Sequence, residues 1–206
     1  MNVIILIVTI VIFLFVGCTP ARSIITDPKV SMKSSIEEIS KNNNRKANIV
    51  KKLPKKIGSM ELYNVVDYTK RFLVGTDMGY GIFYDLKNKG EGSGNIFLYR
   101  RYQNHVIDGL SMDALEELKV ERNSIEKLGF EDLSYSTAKF NNVEFYKTSF
   151  ITPPDSRNLQ FDCNLFITGY NGVYLKVLFY YPANSEYTDV ETNLFMQSLV
   201  DSISTG

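Results

Sequence analysis

Three side chains in this 206-residue chain carry thiol or imidazole chemistry: those of Cys18, Cys163 and His105. A thiolate forms thioethers and disulfides, and an imidazole moves protons near neutral pH. With one histidine, neither a multi-histidine metal site nor a His-Glu-x-x-His protease can be assembled. Asp108 and Asp113 follow His105 without the acidic spacing and the glycine of a calcium loop. A hydrolase using His105 and Asp108 with one of the many serines stays open as an alternative. No Gly-x-Ser-x-Gly elbow supports it, since Gly90-Glu91-Gly92-Ser93-Gly94 misplaces the serine. The same glycines are followed by a strand pattern rather than by Gly-Lys-Ser/Thr and a helix, so they lack the form of a phosphate loop. Arg100 and Arg101 fall on opposite faces of a regular strand and make no anion clamp. The expectation is no catalytic residue, no cofactor and no metal site.

Cys18 has a more specific setting. The run Val3–Val16 is apolar throughout, and Gly17, small enough for a peptidase cleft, precedes the cysteine. At about 1.5 Å per helical residue the run reaches roughly 21 Å, short of a hydrocarbon core of about 30 Å, so it has the length of a signal-peptide segment. Phe15-Val16-Gly17-Cys18 resembles the bacterial lipobox, although Phe15 stands where leucine is usual and Met1-Asn2 bears no basic residue. That resemblance implies removal of residues 1–17, a diacylglyceryl thioether on Cys18 and acylation, for example with palmitate, of the new amino terminus. The partner expected first is therefore membrane lipid, held through acylated Cys18. Thr19 after the cysteine resembles the outer-membrane sorting pattern, which implies the periplasmic face of the outer membrane if the envelope is didermic. A thioether at Cys18 would leave Cys163 with no disulfide partner, and Cys163 lies on the apolar side of a strand pattern where a buried thiol is expected.

The formal charge of zero hides an asymmetry. Between Lys29 and Lys56 nine basic residues stand against Glu37 and Glu38, a net of +7, and residues 57–206 carry −7. A basic tether thus joins the anchor to an acidic body, which argues against nucleic acid as a partner.

The elements that would hold these residues follow from periodicity. Residues 18–52 read as a tether with a short helix at Ser31–Lys41, and residues 53–206 as a single α+β domain. Strand patterns cover Ser59–Tyr68, the short run Phe72-Leu73-Val74, and residues 80–87 and 95–102 across a glycine-rich tip. Residues 112–128 form an amphipathic helix, with Ala114, Leu115, Leu118, Ile125 and Leu128 inward and Asp113, Glu116 and Glu117 elsewhere; Ser111 caps it and Gly129 closes it. Hairpins are predicted at 132–140 and 143–152 around Asn141-Asn142, and at 159–168 and 173–180 around Asn171-Gly172. On the last strand Tyr174, Lys176, Leu178 and Tyr180 are too apolar for solvent, so a helix must cover part of that face, while Tyr170, Tyr174 and Tyr180 offer a contact surface where exposed. Thr188-Asp189-Val190-Glu191 opens a final helix whose Phe195, Met196, Leu199, Val200 and Ile203 share a face.

This order, from Leu53-Pro54 and Ile57-Gly58 through the aromatic hairpin, Ile107-Asp108-Gly109, the helix, Gly129 and the tyrosine-rich strand to the final helix, resembles bacterial lipoproteins with PsbP-like or DcrB-like domains. The resemblance implies an α+β fold, a twisted, mainly antiparallel sheet with helices on its faces in a PsbP-like αβα sandwich. It implies a non-catalytic binding or assembly module of the bacterial envelope, with another envelope protein or a small ligand as its further partner. The alternative is an envelope hydrolase around His105 and Asp108.

Overall fold

The computed structural model describes residues 44–68, 76–86, 92–101, 108–155, 158–183, 185 and 188–204. Cys18, His105, the Ser31–Lys41 helix, the run at 72–74 and most of the glycine-rich tip lie outside them. The elements are α1 (Arg45–Lys52), β1 (Lys56–Ile57), β2 (Met60–Asp67), β3 (Thr76–Leu86), β4 (Ser93–Arg101), α2 (Met112–Lys127), β5 (Glu131–Phe140), β6 (Val143–Ile151), β7 (Phe161–Tyr170), β8 (Val173–Pro182) and α3 (Thr188–Ser204). The eight strands form one sheet in the order β1-β2-β3-β4-β8-β7-β6-β5, and every neighbouring pair is antiparallel. Two meanders therefore meet at β4 and β8, where Phe97 lies opposite Lys176 and Tyr99 opposite Tyr174. The chain leaves β4 at the middle of the sheet and resumes in β5 at its edge, and α2 lies in that connection. A bridge between Gly109 and Gly169 ties its start to β7.

The turns form where the side chains permit them. Asn171 and Gly172 both take positive φ, 50° and 71°, as a tight turn matched to strand twist requires. Ser111 Oγ accepts the Ala114 N–H at 3.2 Å and caps α2, and Gly129 follows the helix at φ 75°.

Each face of the sheet has its own core. On one face Phe195, Met196, Leu199, Val200 and Ile203 of α3, with Ala47 and Ile49 of α1, pack on Tyr84, Phe166, Val177 and Phe179. The Phe195 ring stands edge-on to Phe179 at 4.7 Å and to Tyr84 at 5.2 Å. On the other face Ala114, Leu118 and Ile125 of α2 pack with Phe97, Tyr99, Phe150, Cys163, Leu165 and Ile167. The predicted fold class holds: this is an α+β sheet with helices on both faces.

Two elements differ from the sequence expectation. The stretch read as tether contributes α1, whose Asn44 side chain caps it by accepting the Ala47 N–H at 2.7 Å and whose Ala47 and Ile49 are buried. Four of its eight residues are Lys or Arg and it is only about two turns long, so docking on the sheet stabilises it. In β7, the alternation Leu159, Phe161, Cys163, Leu165, Ile167 reads as one apolar and one polar face. In the structure Asn164, Phe166 and Thr168 are also buried, because the second face has its own helices.

Candidate functional site

The densest collection of ionisable groups lies between α2 and the centre of the sheet. Glu117 and Glu121 are spaced one helical turn apart, so both carboxylates project from α2 onto the same face as Ala114, Leu118 and Ile125. Beneath them β4 supplies Tyr99 and Arg101 and β8 supplies Lys176, brought side by side by the β4–β8 register. Arg101 grips Glu117 with two bonds, Nε to Oε2 at 2.5 Å and Nη2 to Oε1 at 2.9 Å, and the Tyr99 hydroxyl donates to Oε1 at 2.7 Å. Lys176 Nζ donates to Glu121 Oε1 at 2.9 Å and lies 5.4 Å from the ring centres of both Phe97 and Tyr99.

Burial governs the electrostatics here. Glu117 is 1% exposed, Glu121 2% and Lys176 6%, while Arg101 reaches toward solvent. Two carboxylates face two cations, so the formal charge balances. Burial pushes the Glu121 carboxyl above the ordinary glutamate range, and the Lys176 ammonium opposes that push. Burial, then the Glu117 charge, raises the Tyr99 phenol. The hydrogen bond to Glu117 raises Arg101 against the opposing effect of burial. Glu121 Oε2 is buried without a hydrogen-bond partner among the described residues. Every other acceptor of the cluster holds a cation or a hydroxyl, so the arrangement clamps α2 to β4 and β8.

The sequence reading placed Glu117 away from the apolar stripe; the structure corrects this. Glu117 and Glu121 flank the stripe of Ala114, Leu118 and Ile125 on one side and are buried with it. The matching signal in β8 is Lys176 between Tyr174 and Leu178 on an otherwise apolar face.

A second feature is a groove of about 430 Å³ on the α3 face, where Asp189 and Val190 overhang Lys147, Ser149, Asp162 and Asn164. Ser149 Oγ donates to Asn164 Oδ1 at 2.6 Å, so part of its polar lining is already engaged. Its charges are of both signs, which suits a small polar molecule better than an anion or a cation alone.

The residues singled out in the sequence are dispersed. Asp108 Oδ1 accepts the Gly172 N–H at 2.8 Å and so holds the β7–β8 turn. Asp113 opens α2. Arg100 is exposed while Arg101 turns inward to Glu117, as their opposite faces require. Cys163 is buried, its thiol pushed up by burial and by Asp162. Of the tyrosines considered for a contact surface, Tyr174 is buried, Tyr180 is half-buried and Tyr170 donates its hydroxyl to Ile203 O at 2.9 Å. Among the described residues no group of three or more His, Cys, Asp or Glu side chains is placed to hold a metal ion, and no helix is long and apolar enough to cross a membrane.

Among solved structures the chain is similar to a protein of Bacteroides thetaiotaomicron VPI-5482, with TM-score 0.39 and 13% identity, over 70% of this chain and 46% of that one. It is also similar to the Ran-binding protein Mog1p of Saccharomyces cerevisiae, with TM-score 0.34 and 10% identity, over 71% of this chain and 88% of that one. The chain spans about half the length of the first of these. No family model and no curated protein matches it.

Proposed function

We propose that the chain is a lipoprotein of the bacterial cell envelope, anchored through acylated Cys18, whose body is a non-catalytic binding or assembly module of the PsbP-like or DcrB-like kind. The observation that carries the reading is the apolar run Val3–Val16 ending in Gly17-Cys18, a segment shorter than a span and closed by a small residue and a thiol. Two acyl chains or more give stable anchoring where one gives only reversible binding. Lys29, Lys33 and Lys41, which precede α1, would lie nearest the anionic head groups, and the acidic body would face away from them. The acid and base groups inside the domain bond one another, which favours holding a partner over turning over a substrate. That partner is another envelope protein or a small polar ligand of the groove beside Ser149 and Asn164.

The test is metabolic labelling with a clickable palmitate analogue in a bacterial host, followed by detergent phase partition. The parent chain should carry label and enter the detergent phase, and Cys18→Ser should carry none. Label on the Cys18→Ser chain, or none on the parent, sinks the proposal.

A further inference from the structure

We propose that the chain forms a two-fold dimer in which β5 pairs antiparallel with β5 of a second copy, centred on Thr137. Among the described residues β5 has a neighbour on one side only, while the opposite edge of the sheet is the two-residue strand β1. Long edges are normally blunted by charge, proline or a bulge. Here the register shift lies between Glu131 and Ser134, so the stretch from Ser134 to Phe140 is regular. It contains no proline, and Lys139 is its only charged residue. Ser134, Tyr135, Ser136, Thr137 and Lys139 are exposed, while Ala138 and Phe140 at the end of the segment pack into the core under α3.

The outward backbone groups follow from the hairpin. A two-residue turn closes on a pair that exchanges both backbone bonds, here Phe140 and Val143, so Ala138 and Ser136 face β6 and Lys139, Thr137 and Tyr135 face outward. Two side-chain bonds agree. Thr148 Oγ1 of β6 donates to Ser134 O at 2.6 Å, and Thr168 Oγ1 of β7 donates to Glu144 O at 2.7 Å, so Glu144 faces β7 and its partner Lys139 faces away from β6.

Centring the dyad on Thr137 makes the strand complementary to itself. Thr137 meets the second copy's Thr137, and Tyr135 meets the second copy's Lys139, a cation beside a ring, in both halves. No like charges oppose each other, and the whole regular run from Ser134 to Phe140 is paired. The exposed Tyr135 ring, stacked at 6.2 Å on Tyr146, would extend the aromatic strip of one copy toward the other. A two-fold pair uses the β5 edge of both copies at once, so this contact closes at two. A single strand pair buries little area, so the affinity expected is micromolar.

The test uses the full chain in detergent. Sedimentation should show a concentration-dependent dimer for the parent, and Thr137→Lys, which opposes two ammonium groups at the dyad, should halve the mass with circular dichroism unchanged. Opposed residues in such a pair lie about 5.5 Å apart at Cα, within disulfide range. Thr137→Cys should therefore give a disulfide-linked dimer under mild oxidation, and exposed Tyr63→Cys on β2 should not. A parent that stays monomeric at micromolar concentration overturns the proposal. So does a Thr137→Lys chain of unchanged mass, or Tyr63→Cys cross-linking as readily as Thr137→Cys.

Discussion

Replacing Lys176 by methionine tests the reading of the cluster under α2 most directly. The substitution keeps the length of the stem and removes the ammonium that donates to Glu121 at 2.9 Å. Glu121 is 2% exposed and its other oxygen is already without a partner among the described residues, so no hydrogen bond remains to it there. Removing one member of a buried pair leaves the other charge uncompensated, which costs about 3–5 kcal/mol. For a body of this size, each kcal/mol moves the midpoint by about 2–4 °C, so thermal unfolding should fall by roughly 6–20 °C. Changing both members, Lys176→Met with Glu121→Leu, removes both desolvation penalties and continues the apolar stripe of α2. The double variant should regain most of the loss, and the pair can even come out more stable than the parent by about 1–4 kcal/mol. Urea unfolding followed by circular dichroism gives the full double-mutant cycle. The pH dependence has a fixed sign. Glu121 is raised in the folded state, so between the ordinary glutamate value and its raised value the unfolded chain loses a proton that the folded chain keeps, and stability declines as pH rises through that window. Lys176→Met should widen the window and Glu121→Gln should abolish this contribution. A Lys176→Met chain within about 1 kcal/mol of the parent, or a double variant as unstable as the single, would refute the argument.

Gly79→Ala should destabilise the fold by about 2–3 kcal/mol, because a Cβ there would stand 1.8 Å from the carbonyl oxygen of Leu98, backbone that β3–β4 pairing holds in place; a loss below about 0.5 kcal/mol in urea unfolding would show that the ladder yields. Cys163 should be protected from a disulfide reagent in the native Cys18→Ser chain and react at least ~100-fold faster in urea, since its thiol is buried and its ionisation is pushed up. Equal rates with and without urea would mean that the β7 face opens readily.

The hairpins were legible because their turns and alternation are local. Asn171-Gly172 supplies positive φ wherever it stands, and the residues around it alternate with period two. The final helix was legible for the same reason, since Phe195, Met196, Leu199, Val200 and Ile203 share a face before any partner is known. Helix α1 was not, because its stability comes from burying Ala47 and Ile49 on the sheet. Glu117 read as lying off the apolar face because carboxylates usually face solvent, and Glu121 was not singled out. Only the approach of Arg101, Tyr99 and Lys176 from two strands far apart in sequence makes their burial tolerable.

The chain's sequence by itself determined the paired strands of the hairpins, helices α2 and α3, where they turn, and that a thiol follows a short apolar run, since each depends on neighbours within a few residues. Tertiary structure decided which of the two sheet faces each helix covers and that β5 is left at the edge among the described strands. These depend on the order in which the two meanders meet at β4 and β8, a long-range pairing that no local pattern carries.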